Sequence, residues 1–392
     1  MAVRSFSKEA FLEASYLKIK ERNEFILTNE VNSFFSKDKS APSLFNAKKH
    51  NICIAQSLKR LHPEEHNKFN KVFMCGDNIS YTYSPKYNKT HIQGYFCDHR
   101  LCPVCNYYKS RAFFSRIYTY VKDNADKKFL FLTLTVPNCS AENLRATVLK
   151  MNRAFGKMFK LTDSKSKVSS MFSSYLRRTE VTYNLNPDSP FYKTFHPHMH
   201  IILECKPEYR PGSECFYHYS EILADWRKYM DDESITEVKI SIIKAQPGEN
   251  YDSGIAGAVA ECCKYPFKMP TKLFHPNFMQ ELDEYISAVE TLKGVRFESA
   301  AGEIKPILHF VSKVGENDTD ICDSSVPTRE EIENDKQSCY LELKWVPALS
   351  TYQLFFNKSN FDLKYGLTAS AVFRLKHSMF YGDHVGLKAR PK

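Results

Sequence analysis

An α+β fold, an antiparallel sheet with flanking helices, is predicted for this 392-residue chain by three features of its sequence. Several segments alternate apolar and polar residues with the period of a strand. Others repeat apolar residues at three- and four-residue steps, as an amphipathic helix does. The two kinds are interspersed along the middle of the chain, which suits a sheet backed by helices. In order, Asn106 to Val121 reads as a helix carrying Lys109, Arg111 and Arg116. Phe129 to Val136 reads as a strand, with Leu130, Leu132, Leu134 and Val136 alternating against Phe131, Thr133 and Thr135 before Pro137-Asn138 ends it. Ala141 to Leu161 reads as a helix, its stripe being Leu144, Val148, Met151, Phe155 and Met158, with Ser140 as N-cap. Strands at Leu176–Tyr183 and His198–Glu204 flank the turn-rich Asn186-Pro187-Asp188-Ser189-Pro190. A helix over Tyr219–Met230 puts Ile222, Leu223, Trp226 and Tyr229 on one side, and Ser234–Ile243 is a further strand.

Five regions follow from this pass. Residues 1–70 lack a clear period and read as an appendage. Residues 71–125 hold a cysteine-rich knuckle and a basic helix. Residues 126–310 carry the sheet. Residues 311–338 form an acidic linker (GENDTDICDSSVPTREEIENDKQ), and residues 339–392 contain short apolar runs such as Leu341–Val346. The chain has 55 Lys+Arg against 45 Asp+Glu, a formal charge of +10 that favours polyanionic partners. Aromatic residues make up 14%, enough to offer stacking surfaces for unpaired bases as well as core. There is no run of eighteen apolar residues, so no membrane span is expected. The N-terminus is charged throughout and lacks the apolar centre of a secretory signal, so the twelve cysteines point to a reducing cytoplasm.

Three groups of residues carry chemistry. His198 and His200 are two apart at the start of an apolar run. On a strand they share one face, while Met199, Ile201 and Leu203 take the other. Two imidazoles so placed can grip one divalent metal. Glu261 and Tyr265 are four apart in a small, apolar, helix-prone segment that Pro266 limits, and so share a helical face. Cys97, Cys102 and Cys105 have the spacing C-x4-C-x2-C, with Cys75 upstream as a fourth ligand for a closed zinc site. Val72 stands where a second upstream cysteine would complete CxxC, and His99 is an alternative ligand.

Taken together these segments resemble the rolling-circle replication initiators of bacterial plasmids, within the wider group of histidine–hydrophobic–histidine (HUH) tyrosine nucleases. Phe131–Val136 is similar to that family's first motif, His196–His200 (HPHMH) to its metal motif, and Glu261 to Tyr265 (AECCKY) to its tyrosine motif. Tyr95 to Cys105, Leu176 to Asn184 and Leu292 to Arg296 resemble its other segments, so the likeness covers about Cys75 to Ile307. The resemblance implies an HUH-like fold and a Mg²⁺ or Mn²⁺ ion held by His198 and His200. Such a metal needs an oxygen ligand, and Glu180, on a strand expected to neighbour the histidines, is the candidate.

The resemblance also implies Tyr265 as nucleophile, forming a 5′-phosphotyrosyl link and freeing a 3′-OH, with Glu261 as base for a terminating water. Lys264 could face the phosphate. Arg177, Arg178, Lys109, Arg111 and Arg116 are candidates for backbone phosphate contacts. The expected partners are a single-stranded or hairpin nick site in plasmid origin DNA, a host helicase and a DNA polymerase. A single-tyrosine transposase and a non-catalytic zinc-dependent DNA-binding regulator are the competing readings.

Overall fold

The computed structural model describes residues 44–84, 89–163, 166–243, 251–263, 266–312, 339–347 and 351–355. Its centre is a six-stranded sheet of order β6-β3-β5-β4-β7 with β8 also paired to β4. The strands are β3 (Phe129–Thr135), β4 (Phe172–Tyr183), β5 (Phe195–Cys205), β6 (Val238–Ile242), β7 (Phe267–Lys268) and β8 (Glu298–Ala301). Every pair is antiparallel except β4 with β7. The predicted mixed architecture, a largely antiparallel sheet with helices on it, is what the chain adopts.

Alternation assigns the two faces. Leu130, Leu132, Leu134, Met199, Ile201 and Leu203 project to one side. There they meet α4 (Leu144–Met158) through Met151, Phe155 and Met158, and α5 (Tyr219–Met230) through Ile222, Trp226 and Met230. Each fully buried side chain of this size stabilises the fold by roughly 1.5–3 kcal/mol. Trp226 also fixes α5 by donating its indole N–H to Thr135 O at 2.8 Å. The opposite face carries Leu176 and Ile202 under α3 (Pro103–Asp123), α6 (Tyr251–Cys262) and α8 (Lys305–Ser312). Candidate ligands on β4 and β5 occupy this second face.

Several boundaries differ from the sequence reading. Residues 44–70 are not an appendage: α1 (Leu44–Leu61) and α2 (His66–Met74) pack with α7 (Met279–Glu290), burying Ile54, Ala55 and Leu58. Ser140 is not the N-cap of α4. Cys139 exchanges two 2.8 Å backbone bonds with Phe195, which holds the chain extended, and a turn delays the helix to Asn143-Leu144. Strand β5 runs through Pro197 to Phe195. Val181, opposite Pro197, sends its N–H to Pro266, so this pair exchanges no ladder bond, and the missing proline donor falls beyond the end of β3. The edge strand β6 is shorter than Ser234–Ile243.

A second sheet has the order β10-β9-β1-β2. Its hairpin, β1 (Asn78–Ser84) and β2 (Lys89–Gly94), lies between Cys75 and Cys97, and β9 (Cys339–Val346) with β10 (Thr351–Phe355) pairs onto β1. Leu341–Val346 therefore belongs to the same sheet as the hairpin between Cys75 and Cys97. The acidic stretch from residue 313 to 338 lies outside the described residues, as do residues 1–43.

At the far end of the sheet Glu204 is buried and accepts from Tyr120 (2.5 Å), Ser173 (2.9 Å) and Lys127 (3.0 Å). Burial alone would raise its carboxyl, but these three bonds hold it below the ordinary value. A carboxyl depressed on folding adds stability above its unfolded pKa of about 4.3, lost as pH falls through the folded value. Glu204→Gln should therefore cost about 1.5–3 kcal/mol at pH 7 and narrow the difference between thermal midpoints at pH 7 and pH 3.

Candidate active site and cysteine cluster

The antiparallel register sets the site. Glu180 lies opposite His198, Arg178 opposite His200, and Thr133 opposite His200 from the other side. Directly opposed residues share a face, so Glu180, His198 and His200 converge. Glu180 Oε2 is 3.1 Å from His200 Nε2 and 3.3 Å from His198 Nε2, and one donor atom from each residue lies within 4.8 Å of the others. Glu180 and His200 are buried and His198 is half-buried. Burial pushes the Glu180 carboxyl up, yet hydrogen bonds from His198 and then His200 overcome it and hold it far below the usual carboxylate range. It is an anion at any physiological pH.

The distal nitrogens are also accounted for. His198 Nδ1 donates to His196 O at 3.2 Å, and His200 Nδ1 lies 3.3 Å from Thr133 Oγ1. Phe131 stacks on His200 (5.4 Å between ring centres, 18° between planes), and His196 stacks on His198 at 5.4 Å and 27°. Partners at Nδ1 turn both Nε2 atoms toward the carboxylate, the orientation that ligating histidines take. Two imidazole nitrogens and one carboxylate oxygen suit a divalent ion of the Mn²⁺ type and leave coordination positions for a substrate. Thr133 was legible only as a strand residue; its register opposite His200 is the signal that identifies it.

Lys264 and Tyr265 lie outside the described residues. Their described neighbours are tied down on both sides. Arg178 Nη1 donates to Cys263 O at 3.0 Å, and Val181 N donates to Pro266 O at 2.8 Å. Phe267 then pairs with Val181 in β7. The chain before and after the tyrosine is thus anchored to β4 at positions 178 and 181, which bracket Glu180. Glu261 is exposed on the last turn of α6.

The expected phosphate contacts at Arg177 and Arg178 are corrected. Arg177 is only 2% exposed, stacked over Phe155 at 5.2 Å and bonded to Ser299 Oγ (2.9 Å) and Asn152, and burial lowers its pKa to about 10. Arg178 is 5% exposed and works inside the protein. Neither guanidinium is presented to a ligand. Lys109 is partly exposed and ion-paired with Asp98, and Arg116 is partly buried. The Arg111 side chain lies outside the described residues.

The four predicted cysteines come together. Cys75 Sγ is 3.5 Å from both Cys102 and Cys105, Cys97 is 3.7 Å from Cys105, and all four sulfurs lie within 4.8 Å of one another. Backbone N–H groups of Cys97, His99 and Cys105 point at sulfurs at 3.4–3.5 Å. Cys75 occupies the fourth place and His99 does not join the group. Four thiols at this spacing, none in a disulfide, fit a closed tetrahedral zinc site. Lys48, fully buried, braces its entry by donating to Phe73 O (2.6 Å) and Cys75 O (2.8 Å) while pairing with Asp77 (2.6 Å).

A family model described as replication protein matches residues 88–353, more than half of the chain and including every group just described except Cys75 and the neighbours Lys48, Phe73 and Asp77. The chain belongs to this family. Among curated replication proteins it is similar to "Protein rep" of Lentilactobacillus hilgardii, 32% identical over 223 residues, which are 56% of this chain and 66% of that protein. The "Protein rep" of Streptococcus pneumoniae serotype 2 is 30% identical over 207 residues, 52% of this chain and 60% of the relative. One from Staphylococcus aureus is 28% identical over 204 residues, 51% of the chain and 85% of the relative. The chain thus spans less than two-thirds of the first two relatives. No solved structure matches it.

Removing the partner of a ligating histidine typically weakens metal binding about 10–100-fold. Thr133→Val, which keeps the side-chain shape, is accordingly expected to weaken Mn²⁺ binding about tenfold by calorimetry, with the circular-dichroism spectrum unchanged.

Proposed function

We propose that this replication protein initiates rolling-circle replication of a plasmid by nicking one strand of origin DNA, single-stranded or in a hairpin, through Tyr265. The observation that carries this reading is the convergence of Glu180, His198 and His200 on one sheet face, with the chain on both sides of Tyr265 anchored around Glu180. A Mg²⁺ or Mn²⁺ ion at the three donors would supply Lewis-acid polarisation of the scissile phosphate.

The protein's own groups do the rest. His198, His200 and Glu180 hold the site rigid through their Nδ1 and cross-strand partners. The phenolic oxygen of Tyr265 attacks phosphorus. A new O–P bond forms, the bond to the 3′ oxygen breaks, and that oxygen leaves as a 3′-OH after taking up a proton. The 5′-phosphate stays on the tyrosine, so the energy of the phosphodiester is kept for rejoining. At termination Glu261 accepts a proton from water, which attacks the phosphotyrosine and releases the phenol. The freed 3′-OH would serve a host DNA polymerase, with a host helicase opening the duplex.

Membership in the replication family favours this reading over a transposase, and a DNA-binding regulator has no use for the buried triad. The formal charge of +10 favours a DNA partner. Lys109, Arg111, Arg116 and Lys264 remain proposed contacts to the backbone. Among the described residues no helix is long and apolar enough to cross a membrane; we place the activity in the cytoplasm, where its DNA lies. The four-cysteine cluster is proposed to bind one structural zinc that braces the knuckle.

The test is direct. Supercoiled DNA of the replicon that encodes the chain, incubated with protein and Mn²⁺, should yield nicked circles and a detergent-stable protein–DNA adduct. Tryptic mass spectrometry should place that adduct on Tyr265. Tyr265→Phe should form none, and Glu180→Ala should slow nicking by about 100-fold or more. Glu261→Ala should still nick but retain its adduct; normal release by this variant would remove the base assignment. Elemental analysis should find one zinc per chain, absent from Cys102→Ser, whose thermal midpoint should fall.

A further inference from the structure

We infer that Arg178 is a positioning residue that locks the end of α6 against the strand bearing Glu180, an inference that rests on the nicking reading above. Arg178 stands opposite His200 and two residues from Glu180 on the same strand, so it shares their face. Its guanidinium is gripped from three elements. Glu298 of β8 pairs with Nε at 3.0 Å, the Phe113 ring of α3 lies 4.9 Å away, and Nη1 donates to the Cys263 carbonyl at 3.0 Å. A guanidinium buried to this degree is costly unless paired, and Glu298 supplies the pairing.

The carbonyl it chooses is the informative part. The last carbonyls of a helix have no partner within the helix and form its negative end. Cys263 directly follows α6, and its carbonyl accepts from the side chain of the residue paired with His200. Three residues later Val181 N donates to Pro266 O at 2.8 Å. A single strand segment, residues 178 to 181, therefore carries Glu180 and both anchors. Any shift of β4 moves the carboxylate and the end of α6 together, so their relative position is preserved.

Only a fork can do this. Arginine holds its charge 3.0 Å from Glu298 as an ion pair, with no hydrogen bond from Nε, while Nη1 donates to Cys263 O; lysine offers one point charge and can serve one of them. Arg178→Lys keeps the charge beside the triad and should keep the fold, yet lose one of the two grips. A displacement of about 1 Å in a reacting group costs on the order of 100-fold in rate.

The experiment uses the full chain and single-stranded oligonucleotides tiling the replicon that encodes it, with Mn²⁺. Arg178→Lys should lower kcat for adduct formation about 30–100-fold, with KM and the Kd for Mn²⁺ each within about threefold of wild type. A residue that only holds the fold together would move Mn²⁺ affinity and thermal midpoint along with the rate. Arg178→Ala, if it folds, should show a larger kcat loss with the same split. A wild-type kcat in Arg178→Lys, or a fall in Mn²⁺ affinity matching the fall in kcat, overturns the inference alone, provided Tyr265→Phe is inactive. No adduct in wild type, or one that survives Tyr265→Phe, sinks the nicking reading and this inference with it.

Discussion

The pairing of β4 with β5 is the constraint from which the site follows. With Glu180 opposite His198, a buried carboxylate meets two imidazoles on one sheet face. A slip of one residue would bring Thr179 or Val181 there and send Glu180 into the apolar layer under α4 and α5. That alternative is closed by the other face of the same strands: Met199, Ile201 and Leu203 must be buried for the core to form. The hydrophobic effect, which knows nothing of metals, thereby fixes the register that gathers the polar donors. A lone buried carboxylate would be strongly destabilising, so the histidines and Glu180 also stabilise each other's placement.

Much of this was legible in the sequence because it is written in periodicities of two and four. The alternation in Phe129–Val136 and in the histidine run predicts which residues face the core, and β3 and β5 follow it. The helix expected over about Tyr219–Met230 is α5, whose start Glu221 closes by accepting from the His218 backbone N–H at 3.1 Å. Alternation puts His198 and His200 on one face, while Glu180 is a candidate only through the resemblance and the choice of a neighbouring strand, and the register is what brings it opposite His198. Spacing marks Cys97, Cys102 and Cys105, whereas the choice between Cys75 and His99 beside them is visible only in the fold, where the Cys75 sulfur joins the other three.

What stayed hidden depends on contacts distant in sequence. Arg177 and Arg178 look like solvated charges in a strand, and only the arrival of Asn152, Phe155 and Ser299 around one, and Phe113, Glu298 and Cys263 around the other, makes them internal. The period of α1 is obscured in the sequence because Lys48, Asn51 and Ser57 sit at buried positions within it. Each donates to a partner distant in sequence: Lys48 and Asn51 Nδ2 to carbonyls near the cysteines, Ser57 to Asp283. A polar residue in a core position reads as surface until its partner is known. Ser140 failed as a cap for a related reason, since its neighbour Cys139 is claimed by Phe195.

The strand β9 joins β1 across about two-thirds of the length of the chain, Asn78 pairing with Lys344 and Tyr83 with Cys339. Contacts so remote in sequence form late, because the intervening loop must first be closed. On the ribosome the cysteine hairpin emerges long before its cover, with the β1 edge open to any other strand. A prematurely terminated product lacking residues 339–355 would keep that edge bare, which makes truncated chains the species most prone to aggregate during synthesis.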